Sequence, residues 1–106
     1  MLDIETSNSG SVGCMKLTGD LDIAVVEKFR SSIESIPEAT AELNIDVAGL
    51  KFLDSTGAGS LVHVMNQVMA RDIRIKIIEI PKKIYEVLDV LGIPELMGEE
   101  NFQRQK

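Results

Sequence analysis

The sequence predicts an α/β domain built on a single small mixed β-sheet packed with α-helices, in the order ββαβαβα. Three observations predict it. Leu43, Ile45 and Val47 alternate with Asn44 and Asp46, the period of a strand with one better-buried face. Leu61, Val62, Met65, Val68 and Met69 then recur at helical spacing. Ile73, Ile75, Ile77 and Ile78 follow as a β-branched strand interrupted by Arg74 and Lys76. Strand 43–48, helix 57–71 and strand 73–80 thus form a βαβ unit, whose parallel strands are joined by a right-handed crossover. Helical stripes of this kind are buried by packing on a sheet.

The remaining elements follow from local signals. Residues 2–6 and 11–18 read as strands separated by the turn-rich Ser7, Asn8, Ser9 and Gly10. Asp22 reads as a helix N-cap, with Leu21 and Val26 spaced as a hydrophobic staple. Val26, Phe29, Ile33 and Ile36 fall on one side of that helix, and Pro37 ends it. Gly49 opens a loop that runs through Asp54. Pro81 suits a first helical position, and Ile84, Val87, Leu88 and Leu91 line the helix it starts. Gly92 closes this helix in the left-handed conformation, and Pro94 prevents its continuation. Residues 95–106 read as a last helical turn and a polar tail, so that 1–106 is one domain with 98–106 loose.

Composition narrows the function. The chain has 106 residues, 44% of them hydrophobic but only 4% aromatic, so its core is built from Ile, Leu, Val and Met. Cys14 is the one cysteine, which excludes an internal disulfide and reads as buried packing rather than a redox sensor. A net charge of −6 argues against phosphate-backbone binding, despite basic residues at Arg71, Arg74, Lys76, Lys82 and Lys83. The N-terminus lacks a basic segment followed by an apolar run, so no signal peptide is expected. No apolar stretch approaches the roughly 20 residues of a membrane span. A cytoplasmic protein with a protein partner or a small ligand is the expectation, without direct nucleic-acid binding or membrane insertion.

The stretch from Phe52 to Gly59 carries the functional signal, because it leaves the carboxyl end of a strand and enters a helix. Ser55 falls at the N-cap or in the first turn, beside free backbone N–H groups and the positive end of the helix dipole. A phosphate on its oxygen is favoured there, and a plain helix cap is the alternative role. Gly57 and Gly59 remove side-chain bulk where another protein can approach.

Three segments resemble STAS domains, most closely the stand-alone anti-sigma-factor antagonists of bacteria. Leu17 to Asp22 (LTGDLD) resembles the family's LTGELD segment, and Ile45 to Leu50 (IDVAGL) its LDLSGL strand. Phe52 to Gly57 (FLDSTG) is similar to its FMDSSG phosphorylation loop. The resemblance implies a partner-switching protein whose unphosphorylated form binds an anti-sigma-factor-type serine kinase. It makes Ser55, directly after Asp54, the phosphorylated serine, with Thr56 as a second acceptor and a PP2C-type phosphatase reversing the reaction. It also implies a partner surface on the loop and on helix 57–71. Ala58 replaces a larger apolar residue common in the antagonists, and Ser60 and His63 also differ, so the partner need not be a standard anti-sigma kinase.

The candidate partner-binding residues are Asp20, Asp22, Asp54, Thr56, Gly57, Ser60, His63 and Gln67. The three aspartates are expected on neighbouring loops at one end of the sheet, where phosphate at Ser55 deepens an acidic surface. His63 falls opposite the Leu61, Met65 and Met69 stripe and is expected to be exposed beside Ser60 and Gln67; without a second His or Cys nearby it is no metal ligand. Met65 and Met69 read as core. Asp46 on a strand and Asp54 at a loop end do not make an acid/base pair. The glycines of 57–59 lack the Lys-Ser/Thr of a P-loop, so no cofactor is expected and a phosphate-handling enzyme is the weakest reading. A non-catalytic STAS subunit of another signalling assembly, or of a membrane transport complex, is the alternative role.

Overall fold

A computed structural model describes every residue from Met1 to Lys106. Strand β1 (Leu2–Ser9) turns at Gly10, whose φ is +62°, into β2 (Val12–Leu21). A 3-10 turn over Ile23–Val25 leads into α1 (Val26–Ser32), and a second over Ile33–Ser35 ends that helix before Pro37. Then come β3 (Glu42–Leu53), α2 (Ser55–Met69) and β4 (Arg74–Ile80). The chain finishes with α3 (Lys82–Val90), α4 (Ile93–Met97) and β5 (Phe102–Arg104).

The five strands lie in chain order, β1-β2-β3-β4-β5, with β1 antiparallel to β2 and every other pair parallel. Right-handed crossovers that all step the same way across a sheet put their helices on the same face. Burial follows that rule. Met15 and Leu17 of β2, Ile45 and Val47 of β3, and Ile75 and Ile77 of β4 are buried together with Phe29, Leu61, Val64, Met65 and Val68 of the helices. On the other face, Lys16 stands in register between Glu5 of β1 and Asp46 of β3. Cys14 lies on this open face beside Asn44 and is only partly buried, not in the core as expected. Burial, and then the nearby Asp46 carboxylate, push its thiol pKa up against the opposing pull of Lys16.

Several expectations need correction. The strand expected over 43–48 runs on to Leu53, because β2 keeps pairing with it through two register irregularities, from Thr18 opposite Gly49 to Leu21 opposite Leu53. Residues 98–106 are not a loose tail: Glu99–Asn101 form a 3-10 turn, and β5 then lies parallel to β4 with Phe102 buried opposite Ile77. α3 ends before Gly92 as expected, and Pro94 sits in the first turn of the separate α4, where its missing N–H costs nothing. Gly92 takes the predicted left-handed conformation, φ +71°, while Pro81 is the N-cap of α3 rather than its first residue. Of the stripe expected on α3 only Ile84 and Leu88 are buried, and Leu91 is 45% exposed. Met65 is core, but Met69 on the last turn of α2 is 37% exposed.

Candidate functional site

The site is built at the carboxyl ends of β2 and β3. Leu21 and Leu53 are opposite each other and buried, which fixes where both strands stop. Asp54 follows in extended conformation, its N–H donating to the Leu21 carbonyl at 3.4 Å. Its carboxylate Oδ1 then accepts from the Gly57 N–H at 2.6 Å, and its carbonyl accepts from the Ala58 N–H at 2.9 Å. Asp54 is therefore the N-cap of α2. Ser55 is the first helical residue, and its side chain and that of Thr56 are exposed.

Gly57 serves the fold rather than an approaching protein. It is buried, and a Cβ built on it would stand 2.0 Å from the Leu21 carbonyl oxygen. Only glycine lets α2 start this close to the end of β2. Gly59, by contrast, is exposed with open space around it. Ser60 is also corrected: it is 5% exposed, and its hydroxyl donates back to the Gly57 carbonyl at 2.6 Å. A serine satisfied by its own helix is compatible with the core side, which its polarity alone concealed.

The three aspartates are brought together on adjoining strand ends. Asp20 is opposite Phe52 in the β2–β3 ladder, with its carboxylate 3.6 Å from the Met1 amino group. Asp22 follows Leu21 and caps the 3-10 turn, accepting from the Ala24 N–H at 3.1 Å. With Asp54 they make an acidic rim, interrupted by the apolar Ile23 at 72% and Phe52 at 50% exposure.

His63 and Gln67 lie elsewhere, on the seam between α2 and α1. They share a cavity of about 330 Å³ with Glu27, Arg30, Ser31, Ile33 and Glu34. His63 is half-buried rather than exposed, its Nε2 3.0 Å from Nη2 of Arg30. A guanidinium only donates, so Nε2 is the acceptor in this contact. Arg71, expected as a surface base, is also committed to this seam: its guanidinium donates to the carbonyls of Ile33 and Ile36 at 3.3 and 3.0 Å. No group of three or more metal-ligating side chains gathers in the chain. No helix is long and apolar enough to cross a membrane.

One part of the site escaped the sequence reading. Leu53, Asp54 and Ser55 form one wall of an open groove of about 340 Å³. The other wall is the stripe Lys83, Glu86, Val87, Val90 and Leu91 of α3 and its C-cap. Val90 is 86% exposed, and the lining is mostly apolar. The signal was present: α3 carries more apolar residues than one buried stripe needs, and the surplus at Val87, Val90 and Leu91 falls at i, i+3, i+4.

The arrangement is that of an exposed hydroxyl on a fixed helix start, between an acidic rim and an apolar groove. An anti-sigma-B factor antagonist of Staphylococcus epidermidis is 26% identical to this chain over 97 residues, covering 91% of this chain and 90% of the relative. Among solved structures, the Bacillus cell-fate determinant SpoIIAA in its phosphorylated form is similar with a TM-score of 0.70 at 19% identity, over 100% of this chain and 92% of that one. The STAS domain of a SulP transporter from Vibrio cholerae is similar with a TM-score of 0.68 at 22% identity, over 93% of this chain and 77% of that one. These likenesses in structure carry the fold. The model of the STAS domain matches residues 3–105, nearly the whole chain, and the protein therefore belongs to the STAS domain family.

Proposed function

We propose that this protein is a non-enzymatic partner switch controlled by phosphorylation of Ser55. In its unphosphorylated form it binds an anti-sigma-factor-type serine kinase or a related regulator. The kinase transfers the γ-phosphoryl group of ATP to the Ser55 oxygen, the hydroxyl proton is lost, and the complex separates. A PP2C-type phosphatase hydrolyses the ester and restores the binding form. The observation that carries this reading is the exposed Ser55 side chain on the first residue of an Asp54-capped helix. The sequence similarity to an anti-sigma-B factor antagonist supports it.

Electrostatics account for release. Phosphorylation adds about −1.5 to −2 charges at neutral pH beside the carboxylates of Asp20, Asp22 and Asp54. The modified group stays compatible with the fold, since negative charge is favoured at a helix N-terminus. Binding is lost through repulsion of the partner, not through unfolding.

Incubation with the cognate kinase and ATP, followed by mass spectrometry and a binding assay on both forms, tests the reading. A single phosphate on Ser55 and at least a tenfold loss of affinity are expected. Modification of Thr56 alone, or unchanged affinity, would sink it. Ser55→Ala should bind constitutively and Ser55→Asp poorly. The resemblance in fold to a transporter STAS domain favours a second reading, a subunit of a membrane complex. Stable association with a membrane protein, unaffected by Ser55→Asp, would favour that one.

A further inference from the structure

Lys83 has no assigned role, and its position gives it one. It belongs to the α3 stripe that forms one wall of the groove, with Ser55 and Asp54 on the other. No carboxylate lies within ion-pair distance of it: the three ion pairs of the protein are Met1 with Asp20, Arg30 with Glu27, and Arg74 with Glu42. Its side chain is exposed, so its ammonium is free to reorient at little cost. Beside it, Lys82 lines a different cavity, with Tyr85 and Arg104.

We propose that Lys83 is the intramolecular counter-ion of phosphoserine at position 55, and that the pair closes the mouth of the apolar groove. The inference rests on the reading of Ser55 as the phosphorylated residue and deepens it. In the unphosphorylated protein the groove is open, with Val87, Val90 and Leu91 on its α3 wall. A phosphate on Ser55 brings acceptor oxygens to one wall while Lys83 presents its ammonium from the other. The charge-assisted bond formed between them spans the groove. The charged groups facing the phosphate are then Lys83 in attraction, and Asp54, Glu86 and the rim carboxylates Asp20 and Asp22 in repulsion. Modification thus covers the apolar surface a partner would use, in addition to repelling its charge.

The pairing is read directly by the second ionisation of the phosphate, normally near pH 6. A neighbouring cation favours the dianion and lowers that pKa. Phosphoserine is placed at position 55 by genetic incorporation and titrated by 31P NMR at low ionic strength. Lys83→Gln should raise the phosphate pKa by roughly half a unit, the size of a partly screened charge pair about 6 Å apart. Lys82→Gln, which changes the net charge equally, should move it by a small fraction of that. Salt at 1 M should abolish the difference between the two variants. Equal shifts in both variants, or none in Lys83→Gln, would overturn the pairing. Because phosphoserine is installed without a kinase, a kinase that ignores Ser55 would overturn the functional reading alone and leave the titration result standing.

Discussion

α2 and α3 enter the domain in opposite ways. α2 starts on a carboxylate: Asp54 caps it, and Gly57 is seated against the Leu21 carbonyl. α3 starts on Pro81 with no side-chain cap and with Lys82 and Lys83 in its first turn. α2 sinks Gly57, Ala58, Ser60, Leu61, Val64, Met65 and Val68, whereas α3 sinks only Ile84 and Leu88. One helix is a fixed mount that holds Ser55 at a set place on the sheet edge. The other packs its apolar residues more thinly, with Tyr85 and Val87 only partly buried and with Val90, and Leu91 at its C-cap, left exposed. The proposed switch needs both, since a modification acts reliably only when the modified atom is fixed and the surface it controls is free.

The sharpest break of that contrast is Gly57→Ala. A methyl group cannot occupy a point 2.0 Å from a backbone oxygen, so α2 must shift or the end of β2 must move. A loss of about 3 kcal/mol is expected by urea denaturation. Wild-type stability in this variant would show that α2 is not pinned where the structure puts it.

Hydrogen exchange compares the helices without mutation. Amides of α2 from Leu61 to Val68 should exchange at least tenfold more slowly than those of α3, because locally thin packing opens at lower free energy. Equal protection would mean that the two helices open as one unit.

Asp54→Ala removes the cap and should cost about 1 kcal/mol, while Ser55→Ala should stay within about 0.5 kcal/mol, because Ser55 is not the cap. The reverse order would reassign the capping role to the serine. The smallest effect on stability belongs to Val90→Ser, within about 0.5 kcal/mol for a residue this exposed, yet it should weaken binding of the partner at least tenfold. Unchanged binding would remove the groove from the recognition surface.

These contrasts also mark what a sequence can and cannot convey. The βαβ unit was legible because Leu43, Ile45 and Val47 and the α2 stripe obey one period each. The loop at Ser55 was legible as a strand-to-helix turn, and the aspartate before it as a loop residue. Which residue capped the helix was not, since Asp and Ser are both favoured there and only the geometry of Gly57 separates them. The extension of β3 to Leu53 depends on pairing with β2, a non-local contact without a local signature. The same holds for β5, whose Gln103 and Arg104 read as a polar tail until Phe102 is seen opposite Ile77. Ser60 misled for the opposite reason: its hydroxyl finds its acceptor within one turn of its own helix, so a polar residue costs little in the interior.

Strand order that equals chain order has a consequence for how the protein is made. During synthesis each new strand finds its partner strand already present at the growing edge of the sheet, and no strand has to insert between two others. Domains with such near-neighbour pairings reach their native contacts with short searches. The site is completed late in that sequence. β3 gains its second neighbour only when β4 emerges, and the far wall of the groove only when α3 follows. A nascent chain that ends before Lys82 therefore presents the Ser55 loop without its α3 wall, so that the groove is complete only when nearly the whole domain has been made.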